Sequence, residues 1–119
     1  MINSYKDLHI WQKGLKFCEK IYQVTKKFPT TEIYGLTSQI RRCSISIPSN
    51  IAEGNARGHI TEYKQFLRVA FGSAAELETQ LILAERIGYL TNEDFKKLNT
   101  NLEEIKKMLY SLIKSLSHP

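Results

Sequence analysis

The chain has 119 residues, 42% of them hydrophobic and 24% charged, which is enough for one domain with its own core and too few for two. Lysine and arginine number 17 against 12 acids, and the net +5 sits wholly in residues 1–60, which hold nine basic and four acidic side chains. The longest charge-free stretch, Cys43 to Ala52, is ten residues including three serines and a proline; a membrane span needs roughly twenty apolar residues, so none is expected.

Apolar positions follow the helical period almost throughout. The first helix is expected over about residues 7–28. Leu8, Trp11, Leu15, Cys18, Tyr22 and Thr25 form one apolar series, and Ile10, Gly14, Phe17, Ile21, Val24 and Phe28 a second beside it. Together they cover about 160° of the helix, which reads as wider than one small bundle can bury. Pro29 ends the helix, because the residue before a proline is biased away from helical geometry.

A second helix is expected over about 32–57, with Leu36, Ile40, Cys43, Ile47 and Ile51 inward. Pro48 lies inside it and deprives the Ser44 carbonyl of its partner, so a kink is expected there. Gln39, Arg42, Ser46, Ser49, Asn50 and Glu53 make a polar stripe next to the apolar one. They read as hydrogen bonding around that kink, with serine hydroxyls serving the freed carbonyl, or as a contact surface.

The third helix, about 61–87, has Thr61 as its expected N-cap and Gly88 as its C′ residue. Its seam is Tyr63, Leu67, Ala70, Ala74, Leu77, Leu81 and Ala84, and Gly72 in mid-helix is expected to mark a close helix approach. Thr91 with Asp94 resembles a capping box, and Leu90 with Phe95 a hydrophobic staple. The fourth helix, about 92–116, has the seam Phe95, Leu98, Leu102, Ile105, Leu109, Leu112 and Leu116. The expectation is an all-α, antiparallel up-down-up-down four-helix bundle in a single domain, 1–119.

Catalytic chemistry finds no footing in this pattern. There is no Glu-x-x-His pair, phosphate loop, dinucleotide motif or nucleophile elbow, so no cofactor or metal is expected. His9, His59 and His118 fall near helix or chain ends, and Glu76, Glu78, Glu85, Glu103 and Glu104 read as surface charges. Cys18 and Cys43 form no CxxC and lie on apolar seams, so they read as small buried hydrophobes. Lys6 and Asp7 are followed by no apolar run of the kind a secretory signal needs, and a cytoplasmic protein without membrane contact is expected.

Lys6, Lys13, Lys20 and Lys27 recur every seven residues opposite the apolar seams, with Lys16 alongside, along about 31 Å of helix. With Arg41, Arg42 and Arg57 they are the candidate contacts to nucleic-acid phosphates. No aromatic is interleaved among these lysines, so they do not indicate single-strand stacking. Phe17, Ile21, Val24, Phe66, Val69 and Phe71 are the apolar residues left over, and they are the candidate oligomer interface.

Certain residues also carry a family pattern. Asp7-Leu8, Trp11-Gln12-Lys13, Phe28-Pro29 and Tyr34-Gly35-Leu36 lead into Gln39-Ile40-Arg41-Arg42 and the run from Ser46 to Gly54, followed by Arg57. Gly72-Ser73, Glu76-Leu77-Glu78 and Gly88-Tyr89-Leu90 come later. In order and spacing this resembles the bacterial four-helix-bundle family that includes proteins encoded by 23S rRNA intervening sequences. A more distant likeness is to the accessory protein of diversity-generating retroelements, a basic pentamer that engages a reverse transcriptase and nucleic acid. The resemblance implies a ring-like homopentamer and an association with RNA genes that is genomic rather than mechanistic. It supplies no site residue, and Cys43 stands where the family pattern has a small alanine. The functional expectation is a non-enzymatic, oligomeric protein associated with RNA or other nucleic acid through backbone phosphates. The alternative is a scaffold docking an acidic protein partner.

Overall fold

The computed structural model describes residues 4–117, so His118 lies outside the described residues. Four helices carry the fold: α1 (His9–Thr25), α2 (Leu36–Ala56), α3 (Ile60–Arg86) and α4 (Asn92–Leu116). Short 3-10 turns occupy Tyr5–Asp7 and Thr30–Glu32, and among the described residues there is no strand. Each helix packs on two neighbours, in the cyclic order α1, α2, α3, α4. The shape is a rod of 47 × 22 × 21 Å, two helix diameters across.

The seams of α3 and α4 turn inward as their spacing predicts. Leu67, Ala70, Ala74, Leu77, Leu81 and Ala84 meet Leu98, Leu102, Ile105 and Leu109, and all are buried. From α2 they are joined by Ile40, Cys43, Ile47 and Ile51. On α1 the outcome corrects the expectation. Phe17 is 2% exposed and Ile21 0%, so the second apolar series is core, while Leu15 and Tyr22 of the first remain 40% and 37% exposed. A helix with a neighbour on each flank needs a wide apolar arc, so that width does not by itself require another subunit.

α2 runs unbroken through Pro48. The Ser44 carbonyl that Pro48 leaves without its helical donor is served by a neighbouring helix: the Cys18 thiol donates to it at 3.1 Å. Of the stripe serines expected in that role, Ser46 is occupied elsewhere, its Oγ meeting Ser73 Oγ at 2.8 Å. Ser44 Oγ itself donates to Arg41 O at 2.8 Å. Gly14 lets α1 come against the proline ring, since a Cβ there would lie 3.4 Å from Pro48 Cβ. The Cys43 thiol likewise donates to Ser73 O at 3.1 Å. Burial raises the pKa of both thiols, and with Glu76 nearby that of Cys43 is pushed up to about 12. Neither is a poised nucleophile.

The close approach expected at Gly72 lies at Gly54 instead. A Cβ on Gly54 would stand 2.6 Å from Phe66 Cβ and 3.2 Å from Tyr63 Cδ1, whereas Gly72 has nothing within 4 Å. The two glycines should therefore respond oppositely to the same substitution. Gly72→Ala is expected to stabilise the fold by about 1 kcal/mol through helix propensity alone. Gly54→Ala is expected to lose about 1–3 kcal/mol to overpacking, which outweighs that gain. Urea unfolding of both variants checks the difference in sign.

Helix ends follow the expected chemistry in part. Gly88, at φ +87°, lets the Tyr89 and Leu90 amides both return to Ala84 O, at 2.9 and 3.2 Å. Thr91 Oγ1 accepts from the Asp94 amide at 3.0 Å. α3, however, begins at Ile60 with His59 in the cap position, so Thr61 is already inside the helix. α1 stops at Thr25, three residues before Phe28, whose ring is still buried, in edge-tilted contact with Tyr89 at 5.7 Å. The cap of α2 comes from Glu32, four residues upstream of the helix start. Its carboxylate accepts the Leu36 amide at 3.0 Å and the Tyr89 hydroxyl at 2.9 Å, and these bonds hold its pKa below the usual carboxylate value.

Candidate nucleic-acid interface

Helix α1 presents one flank to α2 and the other to α4, and its lysines border the α4 side. Lys13, Lys16 and Lys20, three and four residues apart, line a small cleft with Asn101, above Phe17 and Ile105. A second cleft of about 180 Å³ continues it past Lys20 and Gln23 to Asp94, Lys97 and Asn101. The heptad row is shorter than its spacing implies. Lys6 sits in the 3-10 turn before α1, and Lys27 follows the end of the helix.

The row is also less purely basic than it reads. Lys13 pairs with Glu104 at 2.6 Å, and that bond holds the Glu104 carboxyl below its ordinary pKa. Lys27 approaches Asp94 at 3.7 Å. Lys6, Lys16 and Lys20 make no ion pair among the described residues and stay exposed. Pairings between α1 and α4 join distant parts of the chain, so local charge counting misses them.

The arginines do not join this surface. Arg41 donates from Nε to Thr25 Oγ1 at 2.9 Å and lies over the Tyr22 ring at 4.7 Å, on the α2 side of α1. Arg57 is held by Glu53 at 2.9 Å and Glu62 at 3.1 Å, and covers the Phe66 ring at 5.0 Å. It clamps the corner between α2 and α3. Arg42 is exposed and lines the polar cleft of about 260 Å³ between α2 and α3 with Gln39, Ser46, Ser73, Glu76 and Gln80. Much of the polar stripe read on α2 thus borders a real groove.

The six residues expected to form an oligomer interface also fall apart as a group. Phe17 and Ile21 are core, and Val24 packs half-buried against it. Phe66 is pinned between Gly54 and Arg57, Phe71 lines a cleft with α4, and only Val69, at 53%, is well exposed. The exposed apolar residues that do cluster are Tyr22, Ile33 and Ile45, around a groove of about 360 Å³ bordered by Arg41 and Arg42. Beside them Tyr34 stands 95% exposed. Sequence reasoning assigned Tyr22 to the buried seam and left Ile45 unremarked. It also passed over Lys97 and Asn101, whose spacing of four on α4 was the available signal.

Four helices around one core, with lysines on one flank and an arginine-edged apolar groove on another, define an all-α four-helix protein. Among the described residues no helix is long and apolar enough to cross a membrane, and no cluster of three or more metal-ligating side chains occurs. The family model described as 23S rRNA-intervening sequence protein matches residues 6–111, and the chain belongs to that family. It is also similar to a solved protein of unknown function from the S23 ribosomal protein family of Bacteroides thetaiotaomicron. The two are 32% identical over 88% of this chain and 98% of that one, with a TM-score of 0.80. No curated protein matches the chain.

Proposed function

We propose that this is a non-enzymatic, cytoplasmic protein that associates with RNA through backbone phosphates and works as a homo-oligomer of up-down-up-down bundles. The observation that carries the RNA reading is the α1–α4 flank, where Lys16 and Lys20, without an ion pair among the described residues, converge with Lys13, Lys97 and Asn101 on one side of the rod. Phosphates are the fitting target because the lysines are long, solvated point charges with no base-reading geometry around them. The arrangement of helices supports the topology: Cys43 of α2 reaches Ser73 of α3, while Gly54, further along α2, meets the earlier Tyr63 and Phe66.

A salt titration of RNA binding tests the reading, comparing wild type with a variant carrying Lys16→Gln and Lys20→Gln. Lys13, Lys27 and Lys97 are left in place because they hold Glu104, Asp94 and Glu93. Wild type is expected to bind with a dissociation constant in the non-specific range, about 1–100 µM, and to weaken steeply with salt. The variant should lose affinity, with a salt slope shallower by about 1 for each lysine that holds a phosphate. Equal affinity and slope would make the flank an ordinary solvated face. Absence of binding up to about 100 µM would leave the scaffold docking an acidic protein partner, a reading favoured by the exposed Arg42 beside the Tyr22–Ile45 groove.

A further inference from the structure

On its other side α4 borders α3, and there the surface combines aromatics with cations. A cleft of about 420 Å³ is lined by Phe71 of α3 and by Glu103, Lys106, Lys107, Tyr110 and Ser111 of α4. Tyr110 is 61% exposed and Phe71 half-buried, so one ring stands free at the rim while the other forms part of the wall. Lys107, Tyr110 and Lys114 share a face of α4 by steps of three and four, as Lys64, Arg68 and Phe71 do on α3.

The charge around the cleft divides into two sets. Lys106 is tied to Glu78 and Glu103, each at 3.3 Å, and its side chain is only 20% exposed. Lys64, Arg68, Lys107 and Lys114 make no ion pair among the described residues, and all but the half-buried Lys64 are exposed. The surroundings are therefore net positive, with the acids held in the wall by Lys106. A neutral apolar partner would leave those four cations without counter-charge. Inorganic phosphate would leave the aromatic rim unused. A nucleotide carries both complements: a base with a flat face for the Tyr110 ring, and a phosphate on either side for the flanking cations.

We propose that the Phe71–Tyr110 cleft is a stacking site for an unpaired nucleotide of single-stranded RNA, with the phosphates on Lys107, Lys114 and Arg68. This rests on the reading of the protein as RNA-associated and names a strand class for it. The lysine flank of α1 offers no stacking residue and accepts any phosphate backbone. The α3–α4 cleft demands a base that has left its helix, because a paired base shows only its edge. Paired and unpaired RNA are thereby distinguished on opposite sides of α4.

The test measures fluorescence anisotropy of a short labelled oligouridine and of an RNA duplex with the same number of phosphates, for wild type, Tyr110→Ala and Tyr110→Phe. Tyr110→Ala is expected to weaken the oligouridine by about tenfold, inside the range for losing one base–aromatic stack, and to leave the duplex unchanged. Tyr110→Phe keeps a ring and should bind both as wild type does. Melting curves serve as the fold control, and no change is expected at so exposed a residue. Uridine monophosphate in excess should not displace the strand; displacement would make this a mononucleotide pocket and overturn the proposal. Oligouridine affinity unchanged in Tyr110→Ala, with duplex binding intact, overturns the stacking site alone. Failure of wild type to bind either RNA overturns it together with the RNA reading. If Tyr110→Ala instead lowers the mass in light scattering, and RNA affinity falls only in proportion, the cleft is a contact between copies.

Discussion

Phe17→Ala is expected to destabilise the fold by about 3–5 kcal/mol, the usual cost of removing a buried aromatic ring and leaving its cavity. A domain of this size has roughly 5–15 kcal/mol in total, so the variant should sit close to unfolding at ordinary temperatures. The ring is 2% exposed and lies beneath the cleft formed by Lys13, Lys16, Lys20, Asn101 and Ile105. Ile21, one turn on, is fully buried and should behave alike on truncation, at about 2–5 kcal/mol. Urea unfolding followed by circular dichroism is the measurement. A lowered midpoint marks these residues as core of the single chain. Dissociation without loss of cooperative unfolding would return them to a subunit interface.

That reversal on α1 shows what a helical period does and does not convey. The spacing of Leu98, Leu102, Ile105 and Leu109 leaves one possible inward face, and the structure buries it. α1 has two apolar series side by side, and its own sequence contains nothing that ranks them. The choice is made by the neighbours. Gly14 admits the ring of Pro48, Cys18 is drawn to Ser44 O, and Phe17 and Ile21 then point between α2 and α4, leaving Leu15 and Tyr22 at the rim.

Long-range polar chemistry is invisible in the same way. The carbonyl that Pro48 would free could be named from the sequence, yet its donor could not, because the thiol of Cys18 comes from another helix. A serine within the same helix was the local answer and the wrong one. The candidate site shows the same division. Lys16 and Lys20 were legible as a solvated basic row because they depend only on α1. The pairing of Lys13 with Glu104 and the grouping of Phe71 with Lys107 and Tyr110 depend on which helices adjoin α4. Local signals fared better at Gly88 and Thr91, where conformation and cap involve residues only a few positions apart.

Light scattering on the purified wild-type protein is expected to give a mass five times the 13.8 kDa of the chain. The number five comes from the family resemblance, and the surface proposed to hold the copies together is the apolar groove beside Arg41 and Arg42. Tyr22, Ile33 and Ile45 line one groove, each more than a third exposed, with Tyr34 beside them almost wholly in water. An apolar cluster concentrated at one place is what a subunit contact covers, whereas singly scattered apolar residues need no such explanation. The groove also has a hydrogen-bonding rim, since Arg41 is fixed over Tyr22 and Arg42 remains available for a carboxylate of the next copy. Tyr22→Glu combined with Ile45→Glu places two charges where a partner would have to bury them unpaired. That penalty is several kcal/mol, enough to break most contacts of this kind. The doubly substituted chain should run at 13.8 kDa with unchanged helix content, because neither side chain belongs to the buried core. An unchanged assembly mass in the variant would place the contact on another face. Wild type already monomeric at micromolar concentration would leave the groove free for a different protein.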